Sequence, residues 1–281
     1  SWLGSGLSKK GWPVIFIEHK GSDSAALNSS IKGDEAFPGS ADIYLYRIKD
    51  LDFVINSYKK GQLGFKDNSS YILMGHSLGS LISLLYEGNI PNNEFLSRCE
   101  KALNDFALTN LSKLLQCQLS EIPIPEFEKS KELRAIVGFN SFGSLIWSNK
   151  TNSGIDVPIL FIGGTFDLIT PLVSEQFKLF LANESNELNR FLIVEGASHF
   201  SPIRIENKNL SQIKSSDVFK IQENLIGINP YKFQNLTLKI IIQFLNDLEK
   251  KEGLKLVQKQ KIDNLNFHIL RKKELETISN N

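Results

Sequence analysis

The stretch Tyr71-Ile-Leu-Met-Gly-His-Ser-Leu-Gly-Ser-Leu-Ile-Ser-Leu-Leu85 changes period in its middle. Tyr71 to Met74 is a short apolar run and reads as a buried strand. Leu78, Leu81, Ile82 and Leu85 recur at helical spacing. Between the two lies Gly75-His76-Ser77-Leu78-Gly79. A strand that turns at once into a helix through Gly-x-Ser-x-Gly forms a nucleophile elbow. The turn is tight enough to strain the serine backbone. Glycines two before and two after avoid clashes between strand and helix. The serine hydroxyl is then lifted above the sheet at a helix N-terminus, where free N–H groups and the helix dipole favour developing negative charge.

A serine hydroxyl is a weak nucleophile without a base, and the base needs a carboxylate to orient it. Two later segments supply them. In VPILFIGGTFDLITP, the strand Pro158 to Ile162 runs through Gly163-Gly164 into a loop carrying Asp167. In FLIVEGASHFSP, the strand Phe191 to Val194 runs into a loop carrying His199. The order Ser, acid, His, each at the end of a strand, selects Ser77, Asp167 and His199 as candidate catalytic residues. Asp167 could also cap the helix that follows it. Glu195 is a competing acid, but it shares the loop of His199. His19 reads as a structural hydrogen-bonder near the same edge, and His268 lies in the tail. His76 sits inside the elbow, directed away from the face of the serine. With Phe142 and Trp147 it is a candidate substrate contact. Phe142, Ile146 and Trp147 fit either a pocket wall or ordinary core.

Outward from these loops, short β-type runs alternate with helical patterns. Val14 to Ile17 and Ala135 to Phe139 read as further strands. Tyr46 to Tyr58, Leu172 to Leu181 and Leu236 to Leu248 read as helices. Strands separated by helices predict an α/β domain spanning 1–281, with a mostly parallel sheet and helices on both faces. Residues 88–130 break the rhythm and read as a helical insertion, a lid over the C-terminal edge of the sheet. Residues 249–281, rich in lysine, read as a C-terminal extension whose basic run, Lys250 to Lys261, is a solvated face.

The 281 residues carry a net charge of +1, which gives no global electrostatic case for nucleic acid. No apolar run approaches the length of a membrane span. Met74 is the only methionine and Ser1 opens the chain, so we expect a processed form or a piece of a longer protein. Cys99 and Cys117 lie in one polar region. They fit either two unlinked thiols or a disulfide closing the loop between them, worth about 3 kcal/mol. No Cys or His spacing reads as a metal site, and the candidate chemistry calls for no cofactor.

The segments GWPVIFIEHKGSDSA, RIKDLDFVI, GHSLGS, LLQC, GGTFDLITP and GASHFSP together resemble the α/β-hydrolase superfamily. Within it they resemble the predicted dienelactone-hydrolase and platelet-activating-factor acetylhydrolase-like group. The resemblance covers about Trp2 to Pro202. It implies hydrolysis of a small-molecule or lipid-like carboxylic ester by a triad of Ser77, Asp167 and His199. Dienelactone hydrolases proper use cysteine, whereas this chain has serine. The family takes one oxyanion-hole N–H from the residue after the nucleophile, here Leu78. It takes the other from a loop expected upstream of Ser1, so that loop and the N-terminal strands of the family are expected to be missing from this sequence. Members near this branch often carry export signals, which favours the Cys99–Cys117 disulfide and an exported or periplasmic location. A thioesterase or lactonase would use the same triad. The rival class is a non-catalytic interaction protein of the same fold.

Overall fold

A computed structural model describes residues 1–20, 40–65, 69–88, 93–104, 111–148, 153–183, 186–203, 227–251 and 259–279. Its centre is a sheet of six strands: β1 (Tyr71–His76), β2 (Leu133–Phe139), β3 (Ile159–Gly164), β4 (Arg190–Val194), β5 (Lys259–Ile262) and β6 (Leu265–Leu270). The spatial order is β1-β2-β3-β4-β6-β5. The first four strands run parallel, β6 is antiparallel to β4, and β5 is antiparallel to β6.

Side-chain alternation splits the strands between two cores. Leu73, Phe161, Phe191 and Ile193 face one side, with α2 (Ser40–Lys59), α3 (Leu78–Glu87), α4 (Asn93–Asn104) and α5 (Leu111–Cys117) contributing to the same cluster. Val137, Leu160, Ile162, Leu192 and Val194 face the other, against α1 (Trp2–Ser8) and α7 (Pro230–Lys250). Both faces are covered, which is why the central strands read as unbroken apolar runs. A π-helical turn at Leu172–Phe177 runs into α6 (Lys178–Leu181) between β3 and β4. The helix α7 starts six residues before the expected Leu236. Pro230 occupies the first turn, and the Asn229 side chain accepts from the Tyr231 and Lys232 amides.

The expected strand at Val14 to Ile17 is not a strand. Residues 12–19 carry no regular structure, although Val14 and Ile17 are partly buried against opposite cores. A strand exists through its ladder partners, and among the described residues none pairs with this segment. The expected C-terminal extension is instead part of the sheet. Leu265, Phe267 and Ile269 alternate inward on β6, and Asp263-Asn264 turn the hairpin with φ of 52° and 65°. Two positive-φ residues are what a two-residue hairpin loop of right-handed twist requires. The last helix, α8 (Lys272–Ser279), buries Leu275. Of the basic run, residues 252–258 lie outside the described residues.

The insertion holds α4, α5 and a 3₁₀ turn at Gln118–Glu121. Cys99 and Cys117 are joined in a disulfide that ties α4 to α5. Phe95, Cys99, Cys117 and Leu119 belong to the same core cluster as one face of the sheet.

Candidate active site

Ser77 is the one residue between β1 and α3, with φ 52° and ψ −115°. Its N–H donates to Phe139 O at 2.8 Å, and its carbonyl accepts from Leu81 N at 3.1 Å. This backbone state costs a non-glycine residue about 1–3 kcal/mol and persists only where the surroundings enforce it. Burial of Leu81, Ile82, Leu84 and Leu85 on α3 does so. The two glycines of the motif are not equivalent. A Cβ on Gly75 would lie 2.2 Å from the Gly79 carbonyl carbon, whereas one on Gly79 would meet nothing within 4 Å. The close approach of strand and helix therefore demands glycine at 75 alone. Leu78, the first residue of α3, has an N–H with no preceding turn to accept it.

The chain then brings its three candidate residues together from three strand ends. Ser77 Oγ lies 2.9 Å from His199 Nε2. His199 Nδ1 lies 3.1 Å and 3.2 Å from the two oxygens of Asp167. A carboxylate only accepts, so the ring proton sits on Nδ1 and Nε2 is left to accept from the serine hydroxyl. Asp167 and His199 are both buried.

Asp167 is surrounded by donors. One oxygen accepts from Asn140 Nδ2 at 2.6 Å, Thr170 Oγ1 at 2.5 Å and Gln176 Nε2 at 3.2 Å. The other accepts from the Ile169 and Thr170 amides at 2.9 and 2.8 Å. Burial by itself would raise this carboxyl. The hydrogen bonds from His199 and Thr170 outweigh it and hold the group below its ordinary range. Asp167 does not cap the helical turn that follows, whose N-cap is Pro171 with no side-chain bond; its oxygens bond its own loop and both face His199 Nδ1. Asn140, Thr170 and Gln176 were not singled out by the sequence. Only Thr170, three residues after an aspartate, carries a local turn signal.

The other histidines have partners outside this line of side chains. His76 Nε2 donates to the His199 carbonyl at 2.8 Å, and the two rings sit 4.9 Å apart. Burial, with the neighbouring His199, pushes His76 down to about 4, so it is neutral at neutral pH. Its ring supports the loop of His199. Trp2 secures the same loop, donating from Nε1 to Pro202 O at 2.7 Å. His19 bonds Asp50 at 2.9 Å, as a structural partner of α2. Glu195 faces His268 at 2.8 Å and Asn266 at 2.9 Å rather than His199. Phe142, Ile146 and Trp147 are buried in the core and offer no surface to a ligand. Their apolar side chains fill the space between the sheet and the insertion.

The insertion is held to this edge by polar contacts. Glu175, fully buried, accepts from Ser112 Oγ, Gln116 Nε2, the Gly143 and Ser144 amides and Ser144 Oγ. Arg98 donates to the Leu145 and Ile146 carbonyls at 2.6 and 2.9 Å. Among the described residues no group of three or more His, Cys, Asp or Glu is placed to hold a metal ion. No helix among them is long and apolar enough to cross a membrane. Compared with known proteins, the chain matches no family model, and none of the curated proteins matches it.

Proposed function

We propose that this chain is a serine hydrolase of the α/β-hydrolase fold that cleaves carboxylic esters through an acyl-enzyme. One observation carries the reading: a continuous hydrogen-bonded line from Ser77 Oγ through His199 to Asp167, started by a strained serine between strand and helix. His199 Nε2 takes the hydroxyl proton as Ser77 Oγ attacks the ester carbonyl. Asp167, ionised, stabilises the imidazolium that forms and fixes the ring. The carbonyl oxygen, now negative, is met by the Leu78 N–H at the start of α3. His199 then gives its proton to the departing alcohol. Water repeats the sequence on the acyl-enzyme and releases the acid.

Apolar side chains on the loops of the site favour an ester with an apolar, lipid-like part. Phe166 and Leu168, on either side of Asp167, are 63% and 75% exposed. Val173 and Ile203 are exposed close by in sequence on the same turn and on the His199 loop. Exposed apolar side chains on the segments that carry Asp167 and His199 suit a hydrophobic ligand. We read the insertion as a fixed cap in place of a mobile lid, since the Glu175 network and Arg98 hold it to the loop after β2 and its disulfide ties α4 to α5. The disulfide also suits an exported protein.

The test is hydrolysis of 4-nitrophenyl butyrate by the chain, compared with an acyl thioester and a lactone. Ester turnover that is lost in Ser77→Ala is expected. Turnover unchanged in a folded Ser77→Ala variant would overturn the reading.

A further inference from the structure

We propose that Asn140 is the positioning residue that fixes the Asp167 carboxylate relative to the nucleophile; the role rests on the triad reading above. Among the described residues five non-glycine residues have positive φ. Lys251 ends α7, and Asp263 and Asn264 form the β5–β6 turn, so local turn chemistry accounts for these three. The remaining two are Ser77 at 52° and Asn140 at 49°.

These two are counterparts on neighbouring strands. His76 and Phe139 are register partners and end β1 and β2, and Ser77 and Asn140 follow them directly. Each donates its N–H to the next strand along, Ser77 to Phe139 O and Asn140 to Ile162 O, both at 2.8 Å. The sheet thus uses one backbone device twice, once to present the nucleophile and once to present an amide. That amide reaches Asp167 at 2.6 Å. Because an ionised carboxylate only accepts, the nitrogen of the amide faces it. The amide oxygen is left buried with no partner among the described residues. Glycine would satisfy the backbone with no orphaned oxygen, so the backbone alone does not explain an asparagine here.

What Asn140 adds is a link that the other donors lack. Thr170 and the Ile169 and Thr170 amides lie within three residues of Asp167, and Gln176 lies nine away. They belong to the segment of the acid and move with it. Asn140 belongs to the strand beside the nucleophile strand. Its carbonyl also lies 3.3 Å from Thr170 Oγ1, whose one proton goes to the closer Asp167 oxygen. A neutral donor orients the carboxylate without cancelling the charge that His199 needs. A lysine or arginine there would do both.

The experiment compares the wild-type chain with Asn140→Gly and Asn140→Asp, each checked for folding by circular dichroism. Two readouts are taken: the rate of fluorophosphonate labelling at Ser77 against pH, and the low-field proton resonance of His199 Nδ1–H. Glycine accepts the positive φ but has no amide. It is expected to slow labelling by about tenfold or more and to shift or broaden the low-field resonance. Aspartate sets a second carboxylate against Asp167. It is expected to move the labelling profile to higher pH, which a purely structural residue would not do. Both variants labelling at the wild-type rate, with the wild-type profile and an unmoved resonance, would overturn the proposal and leave the triad reading standing. A wild-type chain that is not labelled would sink the triad reading instead. The resonance would then decide the positioning role by itself: unmoved in Asn140→Gly, it overturns that role, and shifted, it upholds it.

Discussion

Asp167 and Glu87 are buried almost equally, at 3% and 4% exposure, and their carboxyl groups behave in opposite ways. Asp167, on the loop after β3, accepts from His199, three other side chains and two amides, and its carboxyl is held below the ordinary range. Glu87, at the far end of α3, keeps one oxygen with no partner among the described residues. Burial raises it to about 7, with nearby Asp156 adding to the rise and Lys129 and the Ser130 amide opposing it. Donors, rather than depth, decide which buried acid stays charged. A charge that is built in this way marks the site. A carboxyl left short of donors takes up a proton instead.

The largest expected effect comes from breaking the charged side of this pair. Asp167→Asn keeps the shape but turns a donor toward His199 Nδ1, favouring the wrong tautomer. Ester turnover should fall by about 10⁴-fold while the melting curve stays close to wild type. A fall of less than tenfold would mean that the carboxylate does not act through His199.

Glu175 extends the comparison to a third acid, fully buried and met by five donors from two segments. Glu175→Ala strands those donors and is expected to destabilise the fold by at least about 3 kcal/mol in chemical denaturation. Because Ser112 and Gln116 lie on α5, loosening of the insertion should follow, read as faster proteolysis between α4 and α5. An unchanged denaturation midpoint would mean that the network is not stabilising.

The smallest effect is on Glu87, and its sign follows from linkage. The folded chain keeps a proton on Glu87 up to about pH 7, while the unfolded chain releases it near the ordinary glutamate value of 4.5. Stability therefore falls as pH rises from about 4.5 to about 7 and levels off above that. Glu87→Gln removes the slope. It should stabilise the fold at pH 7.5 by up to about 3 kcal/mol relative to pH 4.5. Parallel pH–stability curves for variant and wild type would contradict this account of Glu87.

The contrast between these acids was only half legible in the sequence. The central strands announce themselves because both faces are buried and the runs are apolar throughout. Ser77, Asp167 and His199 stand out because each follows such a run directly. The donors next to Asp167 in sequence form an ordinary turn, and those that tie it to the site, Asn140 and His199, come from distant segments. Asn140 was hidden for the same reason. After Phe139 it reads as the start of a turn, and its contact with Asp167 spans 27 residues. The β5–β6 hairpin escaped because its alternation is brief and embedded in lysines. Val14 to Ile17 misled in the opposite sense, since β-type residues make a strand only where a ladder receives them. His76 adjoins the nucleophile in sequence, yet its ring serves the backbone of the base.

The most direct test of the central claim is to treat the folded chain with a fluorophosphonate and map the adduct by mass spectrometry. The account predicts one adduct, on Ser77, that is absent in His199→Ala. A folded chain with no adduct, or with labelling at Ser77 that is unchanged in His199→Ala, would contradict it.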